Sequence, residues 1–312
     1  MLQSGIYRSD SVFEPERRFK IGPLFALLST ISFGLADAGT RRGVLGIPAF
    51  LGIHVTIFVG FPLVVIAAAV TGQLFELANL SAKSFILLAA AGSAQMLVGA
   101  YALYRCFGVI GANRATPMRS IAVPITLLMA FVVLGERVSA MNGIGILIVV
   151  LAPTVMLQRE RKVDPIGSSK LLEGYFFALI SGLAFGISPV MIREAIGGTG
   201  LGIAGALVGY SAAAGVLLLG LAYPGRLASL QGMDRTALRW FLVNAVTVVF
   251  AQMFTFVAFD LAPVTVVTPL MRTTAIWTVI FGFLINRQLE AFGPRVMGAI
   301  ALSVVGSIFV VL

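Results

Sequence analysis

The sequence has one cysteine, Cys106, one histidine, His54, and charge on only 11% of its 312 residues. Each scarcity excludes something. One cysteine leaves no internal disulfide, and one histidine removes any metal site built on two or more. Soluble domains carry about a quarter charged residues. This chain carries far fewer, and 59% of its residues are hydrophobic, so it is not a soluble domain. It has no His-Glu-x-x-His and no paired aspartates inside its apolar runs. An intramembrane enzyme needs such a constellation, so no catalytic activity, metal or cofactor is expected. The net charge of +9 comes from basic residues lying between apolar runs. They read as loop charges of a membrane protein and not as a nucleic-acid surface.

What the sequence has is long apolar segments. Crossing the hydrocarbon core takes about 20 mostly apolar residues. Qualifying windows are Ile21–Gly39, Phe50–Val70, Ser84–Tyr104, Ala115–Leu134 and Ala140–Leu157, then Leu172–Ile192, Leu201–Ala222, Leu238–Phe259, Val264–Ile285 and Pro294–Val311. The runs are too long, and alternate too little, for strands of a membrane barrel. Residues 1–20 form a polar tail without the apolar stretch of a signal peptide. The expected organisation is a tail (1–20), a five-helix unit (21–157), a polar linker (158–171) and a second five-helix unit (172–312).

The two units match in sequence. "FALLSTISFG" from Phe25 and "FALISGLAFG" from Phe177 lie 152 residues apart, as do the "TP" pairs ending at Pro117 and Pro269. An odd number of spans per unit makes the second enter the membrane from the opposite side. The expected fold class is therefore an all-α integral membrane protein of ten transmembrane helices in two inverted-topology repeats. That layout is typical of secondary transporters with a midplane site between the halves.

The helix count, the duplication, the Thr-Pro pairs and "LGER" at Leu134–Arg137 resemble the drug/metabolite transporter superfamily, and within it the EamA-like carriers. The second unit has "INRQLE" where the Gly-Glu element would fall, so Glu136 has no clear counterpart, although Glu290 lies close by. The resemblance implies a secondary transporter, often an exporter, in a cell membrane, here expected to be a bacterial inner membrane. Its partners would be the lipid bilayer and a small metabolite, with a proton or counter-substrate as coupling species, and it would be a monomer or homodimer. A flippase for lipid or lipid-linked headgroups is the alternative reading.

Asn113, Thr116 and Ser120 are spaced i, i+3, i+7 on one helical face, and a shift of 152 gives Thr265, Thr268 and Arg272. Pro117 and Pro269 beside these stripes each remove a helical hydrogen bond and are expected to kink the chain. Arg272 lies roughly 20 Å of helix rise from Ile285, near the middle of the span. An arginine there costs about 2.5–3.5 kcal/mol, and such residues usually face a cavity or a partner. Arg119 lies roughly 22 Å from Leu134, close enough to the opposite face to snorkel. It reads either as an interfacial anchor or as a second cavity cation. Asp37 reads either as a local ion-pair partner of Arg41 or as a protonatable coupling site. The small multidrug carriers of the same superfamily use a first-helix acid for coupling. Gln95, Gln252, Tyr101 and Trp277 are further candidate lining residues, while Tyr104 reads as an interfacial belt residue. With no evident internal counter-charge, Arg272 suits a carboxylate or phosphate of the substrate.

Orientation is contested within the sequence. Thirteen basic residues fall on the face opposite the N-terminus and seven on its own face, which by the positive-inside rule puts both termini outside. The family resemblance, and four basic residues in the tail, put them in the cytoplasm.

Overall fold

The computed structural model describes residues 15–136, 140–152, 167–221 and 234–309. They form α1 (Pro15–Gly43), α2 (Ala49–Val70), α3 (Ala82–Gly92), α4 (Ala100–Ile110), α5 (Ala112–Arg119), α6 (Ala122–Met129), α7 (Ala140–Leu151), α8 (Ser168–Ile196), α9 (Gly202–Leu221), α10 (Arg235–Leu261), α11 (Val264–Met271), α12 (Thr274–Asn286) and α13 (Pro294–Phe309). Among the described residues there is no strand. A π-helical turn at Ser93–Gly99 joins α3 and α4 into one rod, and another at Ala130–Leu134 extends α6.

Among the described residues, eight segments are long and apolar enough to cross a membrane: Ile21–Gly43, Ala49–Val70, Ala82–Ile110, Ala112–Leu134, Ser168–Ile196, Gly202–Gly220, Arg235–Leu261 and Val264–Asn286. Helices suit this role because each satisfies its own backbone hydrogen bonds in hydrocarbon. The fifth and tenth expected windows hold the shorter α7 and α13. Residues 153–157 of the fifth window, 158–166 of the linker, 1–14 of the tail, and the ends of the seventh and tenth windows lie outside the described residues. Helix begins at Pro15, within the expected tail, and the apolar span begins at Ile21.

The side chains sort as a bilayer requires. Leu24, Ile66, Val132, Leu172, Leu219 and Leu284 point outward, whereas Asp37, Gln95, Asn113, Ser120, Asn244, Gln252 and Thr278 are buried. Polar groups at this depth need partners inside the bundle. One such network runs across four helices: Thr40 donates to Asn244 Oδ1 at 3.0 Å, and Asn244 Nδ2 donates to Tyr104 Oη at 2.9 Å and Thr56 Oγ1 at 3.2 Å.

Packing exchanges partners between the two halves of the chain. α1 lies along α10 and α12, while α8 lies along α3, α4, α5 and α6. Glycine makes both approaches possible. A Cβ on Gly34 would sit 2.3 Å from Trp277 Cβ, and one on Gly186 would sit 3.0 Å from Ile125 Cβ. These two contacts are themselves related by the spacing of 152 residues.

Candidate functional site

Two helices break at matching places. α5 covers eight residues, turns at Ser120 and Ile121 and resumes as α6; α11 covers eight, turns at Arg272 and Thr273 and resumes as α12. The cause is local. Pro117 and Pro269 supply no N–H, and the chain tightens after them into i→i−3 bonds. Ser120 N–H donates to Pro117 O at 3.2 Å, and Arg272 N–H donates to Pro269 O at 3.0 Å. Ser120 Oγ also donates to Thr116 O at 3.2 Å. Arginine stands in its place in the second break and makes no such bond.

Both breaks open on one hollow, bordered by Phe33, Asp37, Thr116, Arg119, Ser120, Phe185, Met271, Arg272, Thr274, Ala275 and Thr278. Arg119 Nη1 donates to Asp37 Oδ2 at 3.4 Å, and Thr278 Oγ1 donates to the same oxygen at 2.8 Å. The Arg119 guanidinium also lies 5.6 Å from the Phe185 ring centroid and 5.8 Å from that of Phe107, within cation–π range. Arg272 differs. It has neither a hydrogen bond nor an ion pair among the described residues, and its Nε is buried and unpartnered.

The hollow is charged on one register only. A shift of 152 residues takes Asp37, Arg119 and Arg272 onto Pro189, Met271 and Ser120. The duplicated backbone thus supplies the breaks, and non-matching positions supply the charges.

Each broken helix starts on a carboxylate from the other half. Glu290 accepts the N–H groups of Ala112 and Asn113 at 2.9 Å each, and Glu136 accepts those of Val264 and Thr265 at 3.1 and 2.9 Å. Free N–H groups and the helix dipole make a helix start a natural carboxylate site. Glu290 is therefore the counterpart that Glu136 lacks in the sequence pattern. Burial pushes its carboxyl above the ordinary glutamate range, opposed by the two N–H groups and by Arg41. Beside each cap an arginine clamps carbonyls. Arg41 Nη1 donates to Phe107 O at 2.6 Å and Gly108 O at 3.4 Å; Arg193 Nη1 donates to Phe259 O at 2.9 Å and Asp260 O at 2.7 Å.

A membrane bundle with broken helices around a charged hollow is the setting in which the comparisons with known proteins are informative. Residues 20–158 match the model of the EamA-like transporter family. Over this stretch, somewhat under half of its length, the chain is similar to that family. That family lies within the drug/metabolite transporter superfamily, and the eight long apolar segments among the described residues indicate a multi-pass membrane protein. No curated protein matches the chain in sequence. A crystal structure of a protein aligns with a TM-score of 0.60 at 16% identity, covering 94% of this chain and 96% of that one, which is a likeness of fold.

Within this EamA-like chain the expected lining residues divide. Thr116, Arg119, Ser120 and Arg272 border the hollow. Gln95 and Gln252 hydrogen-bond to each other, and Gln252 alone of the two borders a cavity, a second one that shares Phe33, Asp37 and Phe185 with the hollow. Thr268 is buried with its hydroxyl unpartnered and borders neither cavity. Tyr101 is 38% exposed, with its ring edge-on to Phe177, so it belongs to the outer surface. Trp277 stacks on Phe281 and its backbone seats Gly34, so it packs helices and does not line the hollow. Tyr104, read as a belt residue, is buried because Thr56 and Asn244 satisfy its hydroxyl.

Asp37 is not the partner of Arg41. One helical turn separates them, and the two face different neighbours: Asp37 meets Arg119 and Thr278, Arg41 meets Glu290. Arg119 is not an interfacial anchor either, because the break after Pro117 places it against Asp37. Sequence reasoning missed the arginine clamps, although Arg41 and Arg193, with Phe107 and Phe259, all obey the spacing of 152 residues.

Proposed function

We propose that this EamA-like chain is a secondary transporter that moves a small polar or anionic metabolite across a cell membrane, a bacterial inner membrane, by rocking two inverted five-helix halves about the charged hollow. The observation that carries the reading is Arg272. A guanidinium at a helix break, bordering a hollow and making no hydrogen bond or ion pair among the described residues, suits an anionic group on a visiting solute. The matched breaks, the reciprocal carboxylate caps and the exchanged packing of α1 and α8 support an inverted duplication with the site between its halves. Outward transport is what the similarity to this family suggests. Proton coupling through Asp37 is the energetic counterpart of the proposal. The headgroup-flippase alternative draws no support from the family match.

The test is reconstitution. Ligands that raise the unfolding temperature of the purified protein are first sought among amino acids, organic acids and nucleotides. Those that do are then offered as labelled solutes to proteoliposomes. Protein-dependent movement of a small anion between the aqueous compartments supports the proposal. Movement of labelled lipid without solute flux overturns it.

A further inference from the structure

We propose that the small cavity on the other side of Asp37 is a water chamber, and that its waters, held by Tyr210, carry protons to and from Asp37. The proton route rests on the coupling role proposed for Asp37, whereas the hydration does not.

Size decides what the cavity takes. It offers ≈ 40 Å³ of room, and a buried water needs about 10–15 Å³, so about three waters fit and an organic solute does not. Phe33, Asp37 and Phe185 border both this cavity and the hollow. Two rings and one carboxylate thus stand between the two spaces, and Asp37 is the polar member of that partition.

Room alone does not hold water, since cavities lined only by apolar groups stay dry. Here the lining includes Ile53, Ile57, Met96 and Leu103, but also Asp37 and Tyr210. Other hydroxyls at the cavity are engaged by the protein: Thr40 by Asn244, Thr56 by Gly52 O, and Tyr104 by Thr56 and Asn244. Tyr210 is 0% exposed, and its hydroxyl has no protein partner. A buried donor left dry is costly, and water is the partner for which the cavity has room.

Asp37 is the second anchor. Arg119 and Thr278 both donate to its Oδ2, and Oδ1 is the atom that serves the chamber. A hydronium there gives its proton to Oδ1 and stays as water, and the reverse step returns the proton. The charged and titratable groups that act on Asp37 in this step are Arg119 after Pro117, Arg272 after Pro269, Tyr104 and Cys106 of α4, and Glu290 beyond α12. Arg119 and Arg272 border the hollow and not the chamber. A hydronium in the chamber therefore meets the carboxylate on the side away from both cations, where like-charge repulsion is least.

Three measurements on the purified protein in detergent test the proposal. X-ray hydroxyl-radical labelling reports water held inside a protein. Met96 is 3% exposed and borders the chamber, whereas Met253 is 9% exposed and borders neither space. Met96 should be oxidised several-fold faster than Met253, and equal or slower labelling of Met96 overturns the chamber. Tyr210→Phe should lower the unfolding midpoint, because a hydroxyl bonded to water is lost. A level or higher midpoint means an unbonded hydroxyl and also overturns it. The proton route is read by infrared spectroscopy after a laser-triggered fall in pH, as the rise of a carboxylic-acid band that Asp37→Asn lacks. Tyr210→Phe should slow that rise several-fold and leave its final height unchanged, a split that a purely structural role for the ring would not give. Equal rates in the two proteins remove Tyr210 from the route and overturn that part. Absence of the band from the wild type rejects instead the coupling role of Asp37, and labelling of Met96 still decides whether the chamber is wet.

Discussion

Arg41 Nε lies 3.2 Å from Glu290 Oε1, and that carboxylate side chain is only 1% exposed. The same carboxylate holds the first two N–H groups of α5, and the same arginine holds the last carbonyls of α4. Two side chains thus join α1, α4, α5 and the loop after α12 at one end of the bundle. At the end where α11 begins, Glu136 and Arg193 divide these tasks, with no ion pair between them among the described residues. The bundle is therefore fastened more firmly at the Glu290 end.

That asymmetry predicts unequal costs for removing the caps. Glu290→Ala leaves two N–H groups uncapped and a mostly buried Arg41 without its counter-charge, a loss of about 3–5 kcal/mol for a buried pair broken from one side. Glu136→Ala removes only a cap, about 0.5–2 kcal/mol. Unfolding midpoints of the two variants in one detergent give the comparison. Equal shifts would mean that the Arg41–Glu290 pair contributes nothing beyond the cap.

The glycine contacts rank a second pair of variants. At Gly34 an added Cβ meets Trp277 Cβ at 2.3 Å, the Trp277 carbonyl carbon at 2.8 Å and the Thr278 nitrogen at 3.0 Å. Two of these three atoms are backbone, so α12 itself must shift. At Gly186 the closest atoms are Ile125 Cβ and Cγ2 at 3.0 Å and Ala122 O at 3.1 Å, so a shift of a few tenths of an ångström relieves the contact. Gly34→Ala should cost about 1–3 kcal/mol by overpacking, and Gly186→Ala should cost less. Because Thr278 holds Asp37, Gly34→Ala should also weaken ligand binding. Thermal unfolding and ligand titration of both variants test the order.

The parts of this architecture legible in the sequence are those governed by covalent chemistry along the chain. Proline cannot donate, so the Thr-Pro pairs located both breaks, and the spacing of 152 residues related them. Arg119 and Asp37 are 82 residues apart, and nothing local announces that they meet. Glu290 escaped because it lies two residues beyond the position that the repeat spacing assigns to Glu136, and only the folded loop brings it to the same task. Aromatics were misplaced for a different reason. In lipid the outer face of a helix is as apolar as its core. Hydrophobic periodicity therefore gave no sign that Tyr104 is inside and Tyr101 outside.

Coupling through Asp37 predicts a separation of activities. Asp37→Asn retains the hydrogen-bonding shape toward Thr278 and Arg119 but cannot change charge. Uptake driven by a pH gradient should fall to background, while exchange of labelled for unlabelled solute at equal pH should persist. Retained response to the gradient would exclude Asp37 as the coupling group.

The two arginines of the hollow predict opposite signatures, which a shared structural role could not produce. Arg119 neutralises Asp37, so Arg119→Gln strands a buried carboxylate and should lower stability by about 3–5 kcal/mol. Arg272 makes no hydrogen bond or ion pair among the described residues and feels Asp37 only at longer range, so Arg272→Gln removes a charge without a close partner. Stability should then stay level or rise. Binding behaves the other way for Arg272. Losing a charge-assisted contact costs about 1.5–3 kcal/mol, on the order of 10- to 100-fold in affinity for an anion. Thermal unfolding and anion titration on the two single variants give four values. A variant of Arg272 that unfolds as readily as that of Arg119, with anion affinity unchanged, would make Arg272 a packing residue and leave the hollow without its selecting charge.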